Sequence, residues 1–387
     1  MKSGLNSKTF DKLSVIAGGI MNPSVQDWKS KGGKVMGYTC SFVPEELIIA
    51  AGMLPFRIRG DDNANTANAD IYFSSASTCS FVRNCFENIV SGRYNFLDCI
   101  AVARTCDVAS VIADNLHLSG SKLPVFLLML PHVSGEDAAQ YYKGQLLKFK
   151  KALEAESGIE ITEDRLRAAV KLCNETRLLQ QQLTELLKLP EPPISGSDWS
   201  AVLIAGQSMP KEVYNSLLRQ LLSCYDPVKP SSAVVPPKRL MLSGACGDDN
   251  LVSKIVENLG YVLAYNFTCF GAQCIAGQVD DRGDLLEALA RYRLVDHPYC
   301  DVLIGSAEKR KAAIDAAVRE YAIDGVIGQH LGCCDATAAG MLILREDLKE
   351  AGVPCLIFKR DYVSDCSGQI TTRIQAFCET LTEGGSK

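Results

Sequence analysis

The chain has 387 residues, 47% of them apolar and 22% charged, with a net charge of −5. That length makes two or three domains with genuine cores, and the composition excludes a disordered chain. The acidic balance argues against nucleic acid as a partner, and the most apolar runs, 47–56 and 123–131, are half a membrane span long. The opening MKSGLNSKTFDKLSV carries no long apolar stretch, so a cytoplasmic protein is expected. Residues 1–35 read as a helical lead-in closed by Lys31-Gly32-Gly33-Lys34, and VMGYTC follows as a short buried strand. Pro44-Glu45-Glu46 opens a helix, since proline suits its first position and acids suit the positive end of its dipole. LDCIAVA (97–103) and PVFLLML (124–130) are further strands, with helical patterns at 80–90 and 108–115. Strand and helix alternate, which predicts a parallel α/β layer over 1–134.

From 135 to 195 the pattern changes. Leu166, Val170, Cys173, Leu179, Leu183 and Leu186 recur at helical spacing, Thr162-Glu163-Asp164 is a start, the proline tract at 190–193 is a stop, and 190–198 reads as a linker or domain boundary. Residues 196–387 return to alternation. LMLSGA, 261–265, DVLIG, DGVIG and VPCLIF read as strands, and 251–259, 307–321 and 336–351 as helices. The expectation is two parallel-sheet α/β domains separated by a helical segment. The two halves show no duplication in their sequences.

Sixteen cysteines are the anomaly. A reducing cytosol disfavours a disulfide framework, leaving small buried core residues or ligands to a soft metal or iron–sulfur cluster. With four histidines, no H-E-x-x-H and no C-x2-C pair, a zinc site is disfavoured. Ligands in open α/β sheets collect beyond the carboxyl ends of the strands. Cys40, Cys106, Cys269 and Cys334 each follow a predicted strand, while Cys79 and Cys300 occupy loop-like stretches (SSASTCS and DHPYCD) able to reach the same edges. The reading is one trio per half, Cys40/Cys79/Cys106 and Cys269/Cys300/Cys334. Cys99, Cys173, Cys224, Cys355 and Cys378 read as core residues, and Cys85, Cys246, Cys274, Cys333 and Cys366 stay open between the two roles. Gly244-Ala245-Cys246-Gly247 lacks both phosphate-loop patterns and reads as a plain turn. Glu45 and Glu46 suit acid/base work or simply a helix start. Arg57 and Arg59 in FRIRG suit an anion site or a solvated strand edge.

At these same residues the chain resembles a known group. TCSFVPEELIIAAGMLPFRIRG, TCD at 105–107, ISGSD at 194–198 and SGQITTRIQAF near the C-terminus are similar to signatures of the 2-hydroxyacyl-CoA dehydratase and benzoyl-CoA reductase superfamily, in the same order along the chain. The resemblance implies two flavodoxin-like domains, an iron–sulfur cluster, and low-potential electrons from a separate ATP-hydrolysing activator with its own 4Fe–4S cluster. It also implies Cys40, Cys79, Cys106, Cys300 and Cys334 as cluster ligands, with Cys333 able to replace Cys334. Cys269 resembles the double-cubane branch, in which six cysteines hold an 8Fe–9S cluster that reduces a small substrate. Both trios in one chain imply a homodimer. The alternatives are a dehydratase or aryl-CoA reductase subunit with one 4Fe–4S cluster and a related partner chain, and an electron-storage protein without substrate chemistry.

Overall fold

Short runs of Val, Ile, Leu and Ala that are apolar on both faces must be covered on both, and parallel sheets between helices do this. Among the described residues eight strands form: β1 (Val35–Tyr38), β2 (Leu54–Arg57), β3 (Cys99–Ala103), β4 (Val125–Leu128), β5 (Arg239–Gly244), β6 (Val262–Thr268), β7 (Gly325–Leu331) and β8 (Cys355–Arg360), of which the edge strands β4 and β8 are only partly covered. The computed structural model describes residues 7–61, 65–224, 237–362 and 367–383. Its strands make two four-stranded sheets, ordered β2-β1-β3-β4 and β6-β5-β7-β8, and every pair is parallel. The two orders are the same, with the first strand of each half flanked by the second and third. The halves therefore repeat one another in fold, as two flavodoxin-like α/β units, where their sequences show no repeat.

The helical segment between them forms as its signals predict. Thr162 caps the helix Glu163–Glu185 by accepting the Arg165 N–H at 3.3 Å, and Gly158, at φ +72, ends the preceding helix Glu136–Ser157 in the left-handed conformation. Ser195 of the ISGSD motif caps Gly196–Gly206 by accepting the Asp198 N–H at 3.1 Å. Leu146 and Leu183 are fully buried, each contributing roughly 1.5–3 kcal/mol of apolar burial.

Packing ties the halves together. The N-terminal helix Ser7–Gly18 buries Phe10, Leu13 and Ile16 in a cluster with Trp199, Met241 and Ala264, beside the second sheet. The helix Leu285–Arg291, far along the chain, buries Leu285 and Leu289 with Met36, Ala101 and Tyr142, beside the first. One expected strand does not form. At 301–305 (DVLIG) the chain turns: Leu303 N–H returns to the Cys300 carbonyl at 3.1 Å, Asp301 pairs with Arg310 at 2.7 Å, and only a single bridge joins Ile304 to Val133. The ion pair and the turn bend this apolar run around Cys300. Conversely, β2 contains Pro55, which an edge strand tolerates because no sheet bond is lost there.

Candidate functional site

Parallel strands deliver all their carboxyl ends to one edge, and here the two sheets' edges border a single cavity of about 540 Å³. All six predicted ligand cysteines line it: Cys40, Cys79, Cys106, Cys269, Cys300 and Cys334. Cys40 follows β1, Cys106 follows β3, Cys269 follows β6 directly, and Cys334 follows β7. Cys79 precedes the helix Ser80–Val90, and Cys334 precedes Asp335–Glu350. Cys106 accepts the Ala109 N–H on its sulfur at 3.4 Å. The backbone N–H groups of Val82 and Thr337 act on Cys79 and Cys334, each in the direction that favours thiolate.

Burial works the other way. It pushes the Cys79 thiol up to about 12, with the charges of Cys334 and Cys106 adding to the rise. Cys300 is raised by burial, then by Cys40, Asp301 and Cys269. Cys40 is raised by burial, which outweighs the lowering effect of Arg57, and Cys334 is raised by burial, with Cys106 among its charged neighbours. Cys269 alone goes down, to about 7, chiefly through the adjacent Cys246 thiol. A set of thiols that disfavour one another's ionisation becomes thiolate together only when a cation binds among them, as coordinating metals bring about. These mutual influences cross between the halves, from Cys40 to Cys300 and from Cys334 to Cys79, because the two sheet edges face each other across the cavity.

Among the described residues, no three His, Cys, Asp or Glu side chains converge as a mononuclear ion requires. A polynuclear cluster needs something else: its thiolates go to different irons, so the sulfurs stay spread around it. Six thiols around one cavity, with a buried arginine whose Nε has no partner, fit such a cluster in donor chemistry and in charge.

Three of the cysteines left open also line the cavity, namely Cys85, Cys246 and Cys333. Cys333 is exposed, at φ +61, and its thiol donates to the Ala76 carbonyl at 3.2 Å. Cys274 instead borders a small closed chamber of about 60 Å³ behind the cavity. Cys366 lies outside the described residues. Of the predicted core cysteines, Cys99, Cys173 and Cys378 are buried and Cys355 is half-buried, but Cys224 is exposed, because it follows the last turn of the helix Lys211–Ser223.

The acids near Cys40 start the helix Glu45–Ala50 and are both paired. Glu46 meets Arg177 in a buried ion pair. Glu45 accepts from Lys211 at 2.9 Å and from the Tyr38 hydroxyl at 2.7 Å. Burial raises the Glu45 carboxyl, but Lys211 and Tyr38 more than offset it, so it ends below its ordinary range. Arg57 is no solvated edge residue: although β2 is an edge strand, the side chain is 2% exposed and borders both cavity and chamber. The turn at Gly244 is not a phosphate loop, since it carries Asp248 and Asp249. Asp248 is held by the Gly60 N–H at 3.1 Å and the Tyr362 hydroxyl at 2.9 Å. Gly244 itself is required, because at φ +112 a side chain would strike the Gln329 carbonyl. The burial of Arg57, Lys211 and Arg177 was not legible in sequence; FRIRG after an apolar run was the only hint.

Three curated proteins align with nearly the whole chain. The (R)-phenyllactyl-CoA dehydratase beta subunit of Clostridium sporogenes is 25% identical, over 90% of this chain and 92% of its own. A subunit of the benzoyl-CoA reductase of Thauera aromatica is 26% identical, over 90% of both. The (R)-2-hydroxyglutaryl-CoA dehydratase subunit beta of Acidaminococcus fermentans is 25% identical, over 92% and 94%. The 2-hydroxyglutaryl-CoA dehydratase D-component family matches residues 40–381. That match begins at the first cavity cysteine and ends in the last helix, so the chain belongs to the 2-hydroxyglutaryl-CoA dehydratase D-component family, within the 2-hydroxyacyl-CoA dehydratase and benzoyl-CoA reductase superfamily.

Proposed function

We propose that this chain is an iron–sulfur reductase component that holds an 8Fe–9S double cubane on Cys40, Cys79, Cys106, Cys269, Cys300 and Cys334. When bound, the cluster supplies low-potential electrons to a small substrate. The observation that carries the reading is that all six cysteines, three from each half, line one cavity. Three thiolates per cubane leave one iron corner on each for a bridging sulfide, and six cysteines supply three thiolates for each cubane. The N–H groups at Ala109 and at the starts of the helices after Cys79 and Cys334 would support the thiolates and raise the cluster's potential. Cys334 is favoured over Cys333, whose thiol is exposed and turned to Ala76. Electrons would come from an ATP-hydrolysing activator with its own 4Fe–4S cluster, and a chain holding both trios would work as a homodimer.

The relatives' names favour a second reading, since each is called a subunit of a dehydratase or reductase. In it, the chain holds a single 4Fe–4S cluster, pairs with a related chain and acts on an acyl-CoA thioester. Iron and acid-labile sulfide, measured per chain on protein purified without oxygen, separate the two. About eight irons and nine sulfides support the double cubane, and about four of each support the second reading. Cys269→Ser should cut iron to about half or less in the first case and leave it almost unchanged in the second. Essentially no iron after anaerobic reconstitution rules out both.

A further inference from the structure

A buried charge is costly unless something of opposite sign meets it. The deeply buried cations of this protein obey that rule in a visible way. Arg83 meets Asp70, Arg177 meets Glu46, Lys211 meets Glu45, Arg310 meets Asp301 and Arg360 meets Asp249. Arg239 gives its charge to the carbonyls of Leu187, Leu189 and Tyr321, and Arg59 bonds the Gly19 carbonyl.

Arg57 is different. It ends β2, and its guanidinium stacks on Phe270 with 3.7 Å to the ring centre. One nitrogen, Nη1, donates to the Cys269 carbonyl at 2.7 Å, the Cys274 sulfur at 3.1 Å and Gln207 Oε1 at 3.2 Å. Its Nε is buried without a partner. Among the described residues, no carboxylate forms a salt bridge with it. The groups around it able to carry negative charge are instead Cys274, Cys269, Tyr38 and Cys40. Two of these, Cys40 and Cys269, line the cavity.

We propose that Arg57 is the built-in countercharge of the thiolate cavity, and that its positive charge holds up the reduction potential of the cluster bound there. The inference rests on the cluster reading above. A fixed cation beside an anionic centre stabilises the state with one more electron, and net charge, hydrogen bonding and burial are the levers that set such potentials. Cys274 then has a different part from the six ligands. Its thiol, at 2.6 Å from the Cys269 carbonyl and 3.1 Å from Arg57, braces the guanidinium. Arg57 is thus a positioning and charge-compensating residue.

The test is an EPR-monitored redox titration of anaerobically loaded protein, with iron and sulfide measured on every sample. Arg57→Gln removes the charge, and Arg57→Lys keeps it. Gln207→Glu leaves Arg57 in place but sets a carboxylate against Nη1, which guards against a misfolded Arg57→Gln. With wild-type iron content, Arg57→Gln and Gln207→Glu should raise the oxidised-to-reduced ratio at fixed potential on the order of tenfold, about 59 mV lower for a one-electron couple. Arg57→Lys should titrate close to wild type. Wild-type potentials in both charge-cancelling variants overturn the inference, and so does an Arg57→Lys shift as large as that of Arg57→Gln, which would make contact rather than charge the cause. If Arg57→Gln takes up no iron, Gln207→Glu decides alone. Wild-type protein without iron or sulfide sinks the cluster reading and this inference with it, an outcome told apart from the others by the iron assay.

Discussion

Two pockets meet at Arg57, and they treat charge in opposite ways. In the small chamber, Glu46 is paired with Arg177, and Glu45 with Lys211 and Tyr38. In the larger cavity, burial and neighbouring thiols push Cys79 and Cys300 up. The nearby carboxyl of Asp248 follows suit: burial first, then Asp249, raises it to about 6. The chamber is electrostatically complete as folded, whereas the cavity is complete only with a cationic guest. Chamber residues should therefore govern folding, and cavity residues should govern cluster content.

Breaking the chamber is the harshest way to test that division. Glu46→Gln leaves Arg177 buried without its carboxylate, and losing one partner of a buried pair costs roughly 3–5 kcal/mol. Urea unfolding of the unloaded protein should show this loss, while the fraction that remains folded still takes up the wild-type amount of iron. A folded Glu46→Gln protein that loads no iron would mean that the two spaces are not separable.

Glu45→Gln sharpens the comparison through pH. Its loss is smaller, about 1–3 kcal/mol, as for a buried partner left partly satisfied. The Glu45 carboxyl is held below its ordinary value of 4.5 in the folded state, because Lys211 and Tyr38 outweigh burial. A depressed folded value adds stability that is complete above the unfolded value and disappears as pH falls through the folded one. The gap between wild type and Glu45→Gln should thus be constant from about pH 7 to 5 and narrow below about 4.5. A gap that widens in acid would show that Lys211 does not hold the carboxylate.

What was legible in the sequence follows the range of the forces involved. VMGY and CIAVA were readable as strands because burial on both faces leaves an unbroken apolar run. Thr162, the proline tract and the strand-end positions of Cys40, Cys106 and Cys269 are equally local signals. β2 was masked by Pro55, and DVLIG was over-read because its apolar residues serve a turn around Cys300. The helices Gly196–Gly206 and Lys211–Ser223 went unassigned, the first because SAVLIAG is apolar all round and shows no periodicity. That both trios border one cavity was beyond reach, since it depends on two sheets meeting edge to edge. The burial of Arg57 was too, since Gln207, Cys269 and Phe270, which cover it, lie 150 or more positions away.

The finest test contrasts two adjacent cysteines, which differ in backbone as much as in exposure. Cys333 is held at φ +61, in the left-handed region that non-glycine residues enter at a cost. Cys333→Gly removes that cost but makes the unfolded chain freer, an effect of roughly 0.4–1 kcal/mol in the other direction. The two nearly cancel, so stability should change by less than about 1 kcal/mol. Iron content should not change, because the lost thiol is exposed and bonded to Ala76 rather than grouped with Cys79 and Cys106. Cys334→Ser, one residue on, should leave stability equally unaffected and lose at least one cubane's iron, about half the total. Both variants are read by the same urea titration and iron assay. If iron falls in Cys333→Gly and holds in Cys334→Ser, the ligand at the end of β7 is Cys333, and the cavity's charge neighbours must be redrawn around it.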